Sequence, residues 1–126
     1  MDLELLLVEE ELAICRLDPA EPVPKWATER TGLSAVVRTA DELSVVCDEG
    51  RVPDGIEASG AWRALRVAGA LDLSLTGVLI ALLAPLERAG IPIFAISTFD
   101  TDYVLIPGGR CDEAVAVLES AGHTIR

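Results

Sequence analysis

The chain has 126 residues, 51% of them apolar, and a formal net charge of −11. That length fits one domain, or two very small ones sharing a core, and it can bury a core without metals or disulfides. The apolar content excludes intrinsic disorder. The acidity argues against a nucleic-acid partner, because counterion release needs clustered Lys and Arg. The longest apolar stretch, Leu71 to Leu86, is charged only at Asp72 and carries Gly77 and Pro85. It falls short of the roughly 20 residues of a membrane span, so no membrane association is expected. Met1-Asp2-Leu3-Glu4 has no basic segment, so no secretory signal is expected. The acids are uneven: residues 1–61 hold 14 against 5 bases, residues 62–126 hold 7 against 5.

Cys15, Cys47 and Cys111 are odd in number and scattered, and His123 is the one histidine. No zinc spacing and no Ser-His-Asp or Cys-His device can be built from them. A reduced, cytoplasmic setting fits, with the cysteines as small core hydrophobes.

Leu3 to Val8 and Leu12 to Leu17 read as two strands joined at Glu9-Glu10-Glu11 and are expected as a hairpin. Pro22 to Glu29 reads as one or two helical turns, with proline tolerated at the start, broken at Thr31-Gly32. Leu33 to Arg38 and Leu43 to Cys47 are strands about a polar turn. Residues 1–48 thus form a first unit of order β-β-α-β-β. Residues 49–61 form a connector with Gly50, Pro53, Gly55 and Gly60.

Residues 62–126 form the second unit. Trp62 to Val67 is a strand. Ser74 is expected to cap a helix, its hydroxyl accepting from a free amide. Leu75, Val78, Leu79, Leu82, Leu83 and Leu86 form one helical face. Pro85 removes a backbone bond inside that pattern, predicting a bend, and Gly90 is the stop. Ile91 to Phe99, apolar on both faces, is expected as a central strand; Tyr103 to Ile106 is its partner. Asp112 to Ala121 is a second helix, and His123 to Ile125 a last strand with a structural or exposed histidine. The order β-α-β-β-α-β is the ferredoxin-like pattern, an α+β fold with two helices on one face of the sheet. The first half, or a second copy of the chain, is expected to cover the other face. Trp26 and Trp62 are expected in the packing.

The stretch Ile96-Ser97-Thr98-Phe99-Asp100-Thr101-Asp102-Tyr103 resembles the ACT-domain branch that includes the arginine sensors of the CASTOR type and their small bacterial relatives. Leu75-Thr76-Gly77 at the helix start is similar to the same branch. So are Ala13 to Leu17 and Arg38 to Cys47, which look like its degenerate first unit. The resemblance covers nearly the whole chain. It implies tandem ACT-like βαββαβ units, the first degenerate, binding a small ligand, usually an amino acid, without catalysis or a cofactor. The implied ligand contacts are Ser74, Leu75, Thr76 and Gly77 on one side, and Ile96, Ser97, Thr98, Phe99 and Asp102 on the other. The arginine sensor carries four ACT units where this chain holds about two, so a homodimer is expected.

The chemistry of such a site follows from the ligand. A carboxylate wants the free N–H groups at a helix start, and Gly77 allows close approach. An ammonium wants Asp102 or Asp72. Phe99 would pack on the ligand's side chain. Each residue also has a plainer role: Gly77 in helix–sheet packing, Asp102 in a turn, Ser97 and Thr98 in a strand, Phe99 in the core. The alternative function is an interaction module whose ACT units serve only dimerisation. An enzyme is the poorest reading, since no catalytic set is present and Asp100 with Asp102 is thin support for a metal ion.

Overall fold

A computed structural model describes residues 1–29 and 32–126. Thr31 of the expected Thr31-Gly32 break lies outside the described residues. The chain divides into two compact units: Met1–Val8 with Arg63–Arg126, and Glu9–Trp62.

In the second of these, β2 (Leu12–Leu17), β3 (Ala35–Arg38) and β4 (Leu43–Asp48) join the first half of β5 (Glu57–Val67). The strand order is β3-β4-β2-β5, every pairing antiparallel. The helix before β3, α1, is only Lys25–Thr28. It is shorter than expected because Pro24 lies in extended backbone rather than in a first helical turn. Ala13, Cys15, Leu43, Val45 and Cys47 point to one face and bury with Ala27, while Trp26 packs against them. The segment expected as connector is mostly structured. Glu49–Arg51 is a single 3-10 turn capped by Asp48, and β5 starts at Glu57 rather than at Trp62.

The other unit contains β1 (Glu4–Leu7), the second half of β5, α2 (Val78–Arg88), β6 (Phe94–Ser97), β7 (Asp102–Pro107), α3 (Cys111–Ser120) and β8 (Thr124–Ile125). From β5 onward this is the expected β-α-β-β-α-β order. The expected β1–β2 hairpin does not form. β1 pairs antiparallel with β5, placing Leu5 opposite Val67, and parallel with β8. The strands therefore run β6-β7-β5-β1-β8, with the N-terminal strand between the first and last strands of the βαββαβ pattern. The core under the helices explains the choice. Leu3, Leu5 and Leu7 all face the core under α2 and α3, and five strands cover those helices better than four.

The core of this unit is Leu5, Leu65, Val67, Val104 and Ile106 from the sheet, packed on Val78, Leu82 and Leu86 of α2 and Ala114 and Leu118 of α3. Fully burying such side chains is worth about 1.5–3 kcal/mol each. The expected central strand Ile91 to Phe99 is instead the four-residue edge strand β6. Pro92 lacks a donor, Ile91 and Ile93 turn into the helix-side core, and only Phe94–Ser97 remains to pair with β7. No helix among the described residues is long and apolar enough to cross a membrane.

Candidate functional site

The helix expected to begin near Ser74 begins at Val78, and its N-cap is Gly77. Ser74 is occupied elsewhere. Its hydroxyl and its backbone N–H both donate to Asp72 Oδ1, at 2.6 and 2.8 Å. The Leu75 N–H donates to the Asp72 carbonyl at 2.9 Å. These bonds close a tight turn and hold the Asp72 carboxyl below its usual range. Gly77 then takes φ 88°, ψ −6°, a left-handed conformation that costs a residue with a Cβ about 1–2 kcal/mol. No side chain caps α2, and its first bond outside the opening turn runs from Ala81 N–H to Gly77 C=O. The amides of Val78, Leu79 and Ile80 precede that bond.

Facing this helix start is the β6–β7 turn. The Thr98 N–H donates to the Thr101 carbonyl at 2.8 Å, and the Thr101 N–H donates to Thr98 Oγ1 at 3.1 Å. Thr101, 4% exposed, donates its hydroxyl to the Val67 carbonyl at 2.7 Å and so pins the turn to β5. The Leu71 N–H reaches the Asp100 carbonyl at 2.6 Å, tying the loop before α2 to the same turn. Ser97 lies opposite Asp102 in the ladder and donates its hydroxyl to Asp102 Oδ1 at 2.6 Å.

Between the two lies an open cleft of about 340 Å3. Of the residues expected at a site, Leu75, Gly77, Ser97, Thr98, Phe99 and Asp102 line it. Ser74, Thr76 and Ile96 do not. Ser74 is spent on the Asp72 turn, and Ile96 pairs with Tyr103 in the ladder. Phe99 is not core: it is 80% exposed at the tip of its turn. Beside it Leu73 (70%), Ile80 (64%) and Leu75 (48%) are also exposed and line the same cleft. Sequence reasoning left Ile80 out because it lies off the apolar face of α2. It also left out Asp100, which lines the cleft with Asp72 and Asp102. The lining contains these three carboxylates and no Lys, Arg or His. Among the described residues, no group of three or more His, Cys, Asp or Glu side chains is placed to hold a metal ion.

Of the structural and exposed places expected for it, His123 takes the structural one and is buried. The Leu3 N–H donates to its Nδ1 at 3.0 Å, and its Nε2 lies 2.9 Å from the Ala81 carbonyl. Cys15, Cys47 and Cys111 are free and buried, as small hydrophobes should be. Burial pushes the Cys15 thiol up, and the Cys47 thiol up to about 11.

A search of the curated proteins finds no match. Among solved structures, a protein from Agobacterium tumefaciens is similar over the whole chain, with 31% identity, 93% of its own chain covered and a TM-score of 0.94. A Vibrio cholerae protein described as a possible transport protein is 16% identical over 96% of this chain and 91% of its own, with a TM-score of 0.77. The regulatory subunit of aspartate kinase from Thermus thermophilus is 16% identical over 93% of this chain and 95% of its own, at a TM-score of 0.64. These last two similarities show a shared fold. A family model of an N-terminal domain matches residues 10–55. The model of the ACT domain matches residues 57–120, half of the sequence, and takes in both α2 and the β6–β7 turn. The chain belongs to the ACT-domain family.

Proposed function

We propose that the protein is a cytoplasmic regulatory sensor of the CASTOR-like kind, without catalysis of its own, which binds an α-amino acid in the cleft between the start of α2 and the β6–β7 turn. The observation that carries this reading is the opposition of polarities across the cleft. The Val78, Leu79 and Ile80 amides and the positive end of the helix dipole suit a carboxylate. Asp72, Asp100 and Asp102 on the lining suit an ammonium. With three acids and no base, the cleft favours neutral and cationic side chains over dicarboxylic ones. Ser74, Thr76 and Ile96 lie outside the cleft lining and make no contact with the ligand in it.

The unit Glu9–Trp62 is a degenerate ACT-like repeat. Its order β3-β4-β2-β5 is that of a ferredoxin-like sheet, with the 3-10 turn Glu49–Arg51 where the second helix would stand. One observation favours a second reading, an interaction module acting through the same surface. Leu73, Leu75, Ile80 and Phe99 leave apolar area exposed around the cleft, and a homodimer would bury it.

A thermal-shift screen of the twenty amino acids separates the two. A ligand at 100 times its dissociation constant adds about 2.7 kcal/mol of stability. Asp102→Ala should then weaken binding by about 1.5–3 kcal/mol, because a charged partner is lost. Aspartate and glutamate should give the smallest shifts. If no amino acid stabilises the chain, the interaction module is the better reading. If one does and Asp102→Ala binds it unchanged, the site lies elsewhere.

A further inference from the structure

Pro85 sits in the middle of α2 and has no N–H. In an α-helix that N–H would donate to the carbonyl four residues back, which is Ala81. The Ala81 carbonyl is nonetheless partnered: His123 Nε2 lies 2.9 Å from it. The ring's other nitrogen decides the proton. Nδ1 lies 3.0 Å from the Leu3 backbone nitrogen, whose N–H is a donor, so Nδ1 is the acceptor and Nε2 carries the hydrogen. A buried neutral imidazole thus stands in for the amide that proline withholds. Ala81 directly follows Val78, Leu79 and Ile80, whose amides open the cleft.

We propose that His123 is a positioning residue for the cleft: its Nε2–H fills the hydrogen-bonding gap left by Pro85 and fixes the first turn of α2. The same ring ties that turn to the segment leading into β1. Leu3 accepts from Thr124 as well as donating to His123, and a Cβ added to Gly77 would lie 3.9 Å from the end of Met1. The helix start is therefore held by the residue that precedes β8 and by those that lead into β1, none of which lines the cleft. This inference rests on the cleft being the ligand site, but its geometric half is testable without any ligand.

Imidazole 15N NMR at neutral pH should show the Nε2–H tautomer; the Nδ1–H tautomer or an imidazolium ring would overturn the proposal. His123→Gln keeps a donor near the Nε2 position, whereas His123→Asn keeps only a group near Nδ1. Amide exchange of Ala81, whose N–H donates to the Gly77 carbonyl, should rise about tenfold in His123→Asn and stay near wild type in His123→Gln, the loss of one hydrogen bond setting the scale. Adding Pro85→Ala to His123→Asn restores the helical donor and should return exchange to the wild-type rate. Unchanged exchange in His123→Asn, or no rescue by Pro85→Ala, overturns the proposal. The amino acid giving the largest wild-type shift in the twenty-member panel is then titrated by calorimetry. Its affinity should fall about tenfold in His123→Asn and recover in the double variant. A wild-type protein that binds none of the twenty removes the ligand reading, and the NMR and exchange results still decide the role of His123.

Discussion

Thr101 is the residue on which the β6–β7 side of the cleft hangs. Its hydroxyl donates to the Val67 carbonyl at 2.7 Å, and it is 4% exposed. Thr101→Val replaces that hydroxyl by a methyl of nearly equal size, so no cavity opens. The Val67 carbonyl loses its side-chain donor in a site water does not reach. Leaving a buried acceptor short of a partner costs about 1–3 kcal/mol. At this chain length roughly 4 °C is lost per kcal/mol, so the melting temperature should fall by about 4–12 °C. Thr101→Ser retains the donor and removes one methyl, a loss of about 0.8 kcal/mol. Urea denaturation of the three proteins measures both differences. The valine variant should be the less stable of the two, and its turn amides, Thr98 and Thr101, should exchange faster. A valine variant within about 0.5 kcal/mol of wild type, the size of an ordinary surface change, or a serine variant less stable than the valine one, refutes the assignment of the Thr101–Val67 bond as the pin.

The glycine before α2 gives a second expectation. At φ 88° any Cβ on Gly77 strains the backbone, and a β-branched one most, so Gly77→Val should cost about 1–2 kcal/mol or more and Gly77→Asn less, measured by the same denaturation. The buried thiols give a third. The Cys47 thiol is raised from 9.0 to about 11, chiefly by burial and then by the nearby Cys15, so the folded state keeps a proton that the unfolded chain releases. The stability it contributes is complete below about pH 9 and is lost as pH rises toward 11. Cys47→Ser should flatten the decline of the denaturation midpoint across that window, and a disulfide reagent at neutral pH should leave Cys15 and Cys47 untouched until the chain is unfolded.

What was legible in the sequence was local pattern backed by chemistry. The α2 face at Val78, Leu82 and Leu86 and the order of elements after Trp62 could both be read from spacing, whereas Asp102, expected in the turn, opens β7 opposite Ser97. What was not legible was pairing at long range. Leu3, Leu5 and Leu7 alternate in a way that fits a hairpin with β2 as well as insertion beside β5, and only the core under α2 and α3 decides between them. The start of α2 was misjudged because Ser74 and Gly77 are both good caps. The Asp72 side chain captures Ser74 and leaves the glycine to enter the helix. Phe99 carries the opposite lesson: hydrophobicity predicted burial, yet the turn that Thr98 and Thr101 close lifts it into solvent.

The polar groups around the cleft fall into two sets. Thr98, Thr101, Ser74 and His123 spend their hydrogen bonds on backbone atoms or on a neighbouring aspartate, and they make a frame. The first amides of α2 precede the helix's own bonding, and the Asp72 and Asp102 carboxylates carry more lone pairs than one serine apiece can occupy. A fold that satisfies the first set so fully has fixed the distance between the second set's opposite polarities before any ligand arrives. Preorganisation of that kind lowers the ordering cost of binding. It also locates where sensitivity should lie. Changes to the frame should alter affinity through position, and changes to Asp102 should alter it through charge. A helix start whose carbonyl depends on a histidine from another element joins the two, because moving that ring moves the amides without touching either carboxylate.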